Sequence, residues 1–333
     1  MLFGRKLKMA LLPITHLPTI EAIYKMYREK ASDFRRPHLG ASQIGKPCSR
    51  ALWYGLRWSS DPSFEARMLR LFETGFREED RIISNLRALG IVVYSRDPSS
   101  GQQINFKEES CPMFSGSVDG IAKGFEEAPK TWHILECKSA SKKQFDLLVK
   151  NCLEKQKPEY YAQVQIYMRW AKLERAYFIS CCKDDDRLYG ERVYLDKEFA
   201  ERLVAKAKRI VFSEVPLERI SDDPNNFQCR YCEHIGCCHN GELPLVSCRT
   251  CAFVTPESNG TWTCGRNGEV LGESKQKAGC EGHIFIPQLV PLEVIDSDPE
   301  AGTITYSGGI VNGPGFVSSV DMEKEINKIK RNH

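Results

Sequence analysis

Apolar residues recur at helical spacing at Ile20, Ile23, Tyr24 and Tyr27, which predicts a helix over residues 18–31 with a basic outer face. The RRPHLG stretch breaks it. Ser42 is the expected N-cap of a helix that begins near Gln43, resumes after Pro47 and runs through CSRALWYGL. Residues 64–90 form the longest periodic segment, closed by Gly90 as a C-cap. The period then falls to two in IVVYS, QQINF, MFSGSVDGIAKGF and WHILECKSA, which read as strands, the last pair joined by a polar, proline-containing turn. Helices are expected over SKKQFDLLVKN and PEYYAQVQIYMRWAKL, strands over RAYFISCCK and GERVYL, and a helix over DKEFAERLVAKAKRIVFSEV. This alternation predicts an α/β (α+β) core of about 200 residues.

After residue 227 the periodicity dissolves. Between Cys229 and His283 lie eight of the chain's 14 cysteines, many glycines and few aliphatic runs, so the segment has little to bury and is expected to be stapled by metal. A hairpin and a charged helix are expected after it. The organisation reads as a basic helical arm (1–40), a core domain (41–240), a cysteine-rich domain (241–290) and a C-terminal hairpin and tail (291–333). Hydrophobic residues at 41% and charged residues at 27% exclude a disordered chain, and no apolar run reaches the roughly 18 residues of a membrane span. The start is basic with an apolar patch, but Pro13 and His16 interrupt it and no small-residue cleavage site follows, so no signal peptide is predicted. In a reducing cytosol cysteines stay free of disulfides, which points to metal binding. The net charge is only +3, yet residues 1–60 carry 11 Lys and Arg against 3 Asp and Glu, whereas residues 241–333 carry 8 against 12. A basic front end suits phosphate contact, with Arg35, Arg36, Arg50 and Arg57 as the expected contacts and Trp53 and Tyr54 as packing residues.

The sharpest chemistry lies in GSVDG and ILECKS. Alternation along a strand sets Glu136 and Lys138 on one face and Cys137 on the other, with Asp119 on the preceding strand. Carboxylate oxygens hold Mg²⁺ or Mn²⁺, and a lysine positions water and offsets charge on a phosphoryl group under attack, so Lys138 is expected to act electrostatically or as base assistant. Gln163 and Tyr167 share a helix face, and Glu79 follows Gly75 by four residues. The order G-x-x-x-E, G-x-x-D, E-x-K, Q-x-x-x-Y resembles the PD-(D/E)xK nuclease superfamily, in its RecB-like and lambda-exonuclease (YqaJ) branch, over about residues 40–240. The resemblance implies a restriction-endonuclease-like core with a mixed central sheet flanked by helices. It makes Asp119 and Glu136 ligands for Mg²⁺ or Mn²⁺, Lys138 the catalytic lysine, and Gln163 and Tyr167 a pair bracing site and substrate. Glu79 stands where RecB-like members place a histidine and lambda-type members a glutamate, an additional metal ligand. Val118 replaces the proline that often precedes the first acid. The implied activity is a metal-dependent DNA nuclease, an exonuclease working at DNA ends or in single strands during recombination, repair or replication. The alternative is a non-hydrolytic DNA-binding or recombination-accessory protein that keeps the fold.

Cys229, Cys232 and Cys238 follow C-x2-C-x5-C, and Cys48 stands alone upstream in GKPCSRALWYG. This arrangement resembles the iron-sulfur nucleases of the AddB and CRISPR-adaptation types, which implies a 4Fe-4S cluster on Cys48, Cys229, Cys232 and Cys238. Cys237 competes with Cys238, and zinc competes with the cluster. Cys248, Cys251, Cys264 and Cys280 carry the spacing of a zinc ribbon, with His283 as a substitute ligand. Such a ribbon serves as a platform, as a module for a replication or recombination partner, or as a phosphate contact through Arg249, Arg266, Lys275 and Lys277. Cys111, Cys137, Cys152, Cys181 and Cys182 are expected to be packing residues. The expected location is a bacterial or phage-infected host cytosol.

Overall fold

The computed structural model describes residues 17–331 except Ser32, Phe34, Pro62 and Ser63, so the reading of the N-terminal patch falls outside the described residues. Helix α1 (Pro18–Lys30) buries none of its residues and rests on α3 (Ala66–Ala88), where Tyr27 donates to Glu73. Strand β1 (Leu39–Gly40) follows. The expected helix at Gln43 does not form. Pro47 disfavours helical backbone at Lys46, and α2 (Ser49–Leu56) starts instead at Cys48, whose Sγ accepts the Ala51 amide at 3.4 Å.

The strands are β2 (Val92–Tyr94), β3 (Asn105–Glu108), β4 (Cys111–Ser117), β5 (Gly120–Lys123) and β6 (Trp132–Ala140). After α4 (Lys142–Gln156) and α5 (Pro158–Ala171) come β7 (Arg175–Cys182), β8 (Leu188–Tyr194) and α6 (Lys197–Val211), the last capped by Asp196. The run from Met113 to Phe125, expected as one strand, is divided between two sheets. β4 lies between β1 and β3, whereas β5 joins the mixed sheet β2-β5-β6-β7-β8, and Val118 and Asp119 form the corner. β6 and β7 run parallel, which demands a crossover, and α4 and α5 supply it. β6 is thus central, with Ile134, Leu135 and Glu136 fully buried.

Beyond α6 come α7 (Ile235–His239), the hairpin β9 (Val254–Pro256) and β10 (Trp262–Cys264), α8 (Glu273–Ala278), the sheet β11 (Val294–Asp298), β12 (Thr303–Tyr306) and β13 (Ile310–Asn312), and α9 (Met322–Arg331). The terminal sheet therefore has one strand more than a hairpin. Val254, Trp262 and Leu271 belong to the same apolar core as Trp53 and Leu56, while Ile304, Tyr306, Ile310 and Met322 form a separate one.

Two arginines expected on phosphates are instead buried where the cysteine-rich segment meets α2. Arg57, 1% exposed, donates to the carbonyls of Arg249, Val254 and Ser213. Arg249, 1% exposed, donates to the carbonyls of Leu56 and Pro37 and to Gln276, and stacks 3.6 Å from the Trp58 ring. Planar guanidinium forks suit this carbonyl-rich, aromatic pocket. Arg50 is also committed, to the Leu217 carbonyl and Tyr54. Cys152 departs from its expected packing role: it is exposed, at φ 63° in a kink of α4. No described helix is long and apolar enough to cross a membrane.

Candidate active site

β6 carries Glu136 and Lys138 two residues apart, and the β4–β5 corner brings Asp119 to them. Lys138 Nζ donates to Glu136 and lies 3.9 Å from Asp119 Oδ2, which accepts the Cys137 amide at 2.7 Å. The acid at the corner is therefore fixed by the backbone of the strand that bears the other two groups. Glu136 has no exposed surface, and its Oε2, fully buried, has no hydrogen-bond partner among the described residues. α3 packs on β6 and contributes the half-buried Glu79.

Three carboxylates facing one lysine leave the site short of positive charge. Burial, then Asp119, raises the Glu79 carboxyl to about 7. Burial and Asp119 likewise raise Glu136, against the pull of Lys138, while Glu136 and Asp119 hold Lys138 above the usual lysine range despite its desolvation. A buried carboxylate oxygen without a partner, beside two further acids, is a donor set of hard oxygens that fits a divalent cation.

Gln163 and Tyr167 stand behind this cluster. Gln163 Nε2 donates to Tyr167 Oη at 3.3 Å, and Tyr167 donates to the Ser117 carbonyl at 2.7 Å, two residues before Asp119. A Cβ on Gly116 would come within 2.9 Å of that hydroxyl, so the glycine of GSVD makes room for the tyrosine. The pair positions the corner. Tyr160 was not anticipated: its ring lies 5.5 Å from Lys138 Nζ. Its signal in the sequence is its place one helical turn before Gln163.

Glu79, Lys138 and Tyr160 open into a groove of about 890 Å³ that Arg35 and Arg36 also line. Arg35 is paired with Asp33 at 2.8 Å and Arg36 donates to Ser42 at 3.2 Å, so of the four expected phosphate contacts these two border the groove. Arg50 and Arg57 do not.

Cys48, Cys229, Cys232 and Cys238 line a second cavity, of about 880 Å³. Burial, then Cys48 and Cys238, raises the Cys229 thiol, and Cys232 is raised by burial and the same two sulfurs. Cys237 turns away, donating to the Ser59 carbonyl at 3.6 Å. In the downstream set, burial and then Cys251, Cys280 and Cys264 raise Cys248 to about 11. His283 Nε2 lies 3.3 Å from Thr250 Oγ1, and its ring packs on Phe285. Among the described residues, Glu78, Cys181 and Asp186 are the group of three whose ligand atoms lie within 4.8 Å of one another, and Arg81 bonds to all three. The expected metal sets are more open than that. Zn–S bonds of about 2.3 Å require sulfurs about 3.8 Å apart, so the Cys248 set would have to close on an ion.

No family model matches the chain, and no curated protein matches it. Among solved structures, an alkaline exonuclease (LHK-Exo) from Laribacter hongkongensis overlaps with 57% of this chain and 90% of its own, at 15% identity and a TM-score of 0.39. Its complex with dAMP overlaps to the same extent at 16% identity and a TM-score of 0.39. The protein SSO0001 overlaps with 65% of this chain and 94% of its own, at 12% identity and a TM-score of 0.40. These likenesses are partial.

The raised carboxyls set a pH dependence. A folded-state pKa above the unfolded one favours folding at low pH, and that contribution is lost as pH climbs through the folded value. Melting temperature in EDTA should therefore fall between pH 5 and pH 8, and millimolar Mn²⁺, which needs the deprotonated carboxylates, should restore more of it at pH 8 than at pH 5. Glu79→Gln should flatten both trends. A metal-induced rise that is absent, or equal at the two pH values, contradicts a cation site here.

Proposed function

We propose that this chain is a divalent-metal-dependent deoxyribonuclease that hydrolyses phosphodiester bonds at the Asp119–Glu136–Lys138 site. The observation that carries the reading is Glu136: a buried carboxylate with one oxygen on Lys138 and the other without a partner, beside a second acid pinned by a backbone amide. Asp119 and Glu136, with Glu79, would hold Mg²⁺ or Mn²⁺. Such an ion, when bound, polarises the phosphoryl oxygen and lowers the pKa of water. Lys138 carries the positive charge that faces the phosphoryl oxygens, and acts electrostatically or as an assistant to the base. Tyr167 and Gln163 hold the corner that presents Asp119.

The cavity walled by Cys48, Cys229, Cys232 and Cys238 supports the reading of a 4Fe-4S cluster joining the two ends of the core, with Cys238 preferred to Cys237 because Cys237 points at Ser59. Cys48 lies at the start of α2, where a helix favours negative charge. Cys248, Cys251, Cys264 and Cys280 would hold zinc, with His283, whose Nε2 lies 3.3 Å from Thr250 Oγ1, as the substitute ligand. This zinc segment reads as a platform: Arg249 is buried in the contact with α2.

Purified protein with Mn²⁺ should degrade labelled DNA, and Lys138→Ala or Asp119→Ala should lower the rate by about a hundredfold or more. Activity that survives both substitutions removes the assignment. Tight DNA binding without cleavage, across metals and substrates, favours the non-hydrolytic alternative.

Anaerobically purified protein should contain about four irons and one zinc per chain. Cys238→Ser should lose the iron and Cys237→Ser should keep it. Zinc at both sites, or iron lost only from the Cys237 variant, contradicts the ligand assignment.

A further inference from the structure

α3 brings more than Glu79 to the active-site groove. Phe72, Gly75, Phe76 and Glu79 fall at i, i+3, i+4 and i+7, on one face of the helix, and all four line the groove that Lys138 enters. Phe72 is 37% and Phe76 67% exposed, whereas Ile83 and Leu86, which continue the same face toward the C-terminal end of the helix, are buried. Among the described residues, a Cβ added at Gly75 would meet nothing within 4 Å, which leaves room beside the two rings. Phe72 touches Phe64 edge-to-face at 5.1 Å, and its remaining surface faces the groove.

Neither ring belongs to the proposed hydrolytic set, and a core would have covered them. The rest of the lining is rich in cations: Arg35, Arg36, Lys46 and Lys183 against Glu79 and Glu233. Aromatic faces alongside positive charge match a strand whose bases are unpaired, because each base offers a π-face while its phosphates run along the cations. A closed duplex keeps those faces stacked on one another and offers none to Phe76.

We propose that the Phe72–Phe76 face stacks the bases of a single-stranded nucleic acid next to the scissile phosphate, so that the preferred substrate is a single strand or a frayed end. This rests on the nuclease reading of the same site. The two rings act as a substrate-positioning surface, one helical turn from the proposed ligand Glu79.

The test is fluorescence anisotropy of a labelled oligonucleotide, single-stranded or closed as a hairpin duplex, in EDTA so that no cleavage intervenes. Wild type should bind the single strand more tightly than the duplex. The Phe72→Ala/Phe76→Ala double variant should lose at least about tenfold of the single-strand affinity, with little change for the duplex. Phe76→Ala alone should lose part of it, and Phe76→Trp should retain it. Because Phe76 is mostly exposed, the single variants keep the test valid if the double variant does not fold. Unchanged single-strand affinity in a variant protein that still cleaves DNA overturns this inference and leaves the nuclease reading standing. A wild type that neither binds nor cleaves DNA overturns both. A drop in oligomeric state caused by Phe76→Ala assigns the face to a second copy of the chain, and also overturns it.

Discussion

Burying a carboxylate in the middle of a central strand costs far more than one hydrogen bond returns unless counter-charge is built around it. Glu136 is such a carboxylate, with no exposed surface and one oxygen unpartnered. Lys138 answers part of its charge, yet Asp119 and Glu79 add to the deficit, and burial together with these neighbouring charges raises the Glu79 and Glu136 carboxyls. The surrounding architecture serves this cluster. The chain changes sheets at Val118 and Asp119, the Cys137 amide pins the aspartate, Tyr167 bonds the carbonyl two residues before it, and Gly116 leaves room for the tyrosine. A core built for stability alone would have placed an apolar residue at position 136.

A second set of buried charges joins the cysteine-rich segment to the core. Among the described residues Arg57 and Arg249 have no carboxylate partner in their hydrogen bonds and are held by backbone carbonyls, Gln276 and the rings of Trp53, Trp58 and Trp262. Burial lowers both guanidinium groups, Arg249 to about 9 and Arg57 to about 10. Trp262 and Val254 share the core of α2, so the hairpin bearing Cys264 is packed against the element that Cys48 caps. The two cysteine groups thus stand at the two ends of one packed unit.

Much of this was legible in the sequence because strand alternation is local. The period of two through ILECKS put Glu136 and Lys138 on one face, and the four-residue spacing put Gln163 and Tyr167 together, as found. The division of the Met113–Phe125 run was not legible, since the corner between sheets needs only two residues, Val118 and Asp119, to leave the ladder and leaves no gap in apolar content. The fates of Arg57 and Arg249 were hidden for a different reason. Arg57 beside Trp58, or Arg249 in a cysteine-rich loop, reads equally as a nucleic-acid contact or as a buried stack, and the choice depends on carbonyls more than 150 positions away in the chain. Nothing in the sequence singles out Phe72 and Phe76, because periodicity shows which positions share a face and not whether that face is covered.

Anomalous diffraction from crystals soaked in Mn²⁺ at pH 8 tests the central claim most directly. The account predicts a manganese peak within coordination distance of both Asp119 and Glu136, absent in Glu136→Gln. A peak confined to Glu78, Cys181 and Asp186, or none among the carboxylates around Lys138, would contradict it.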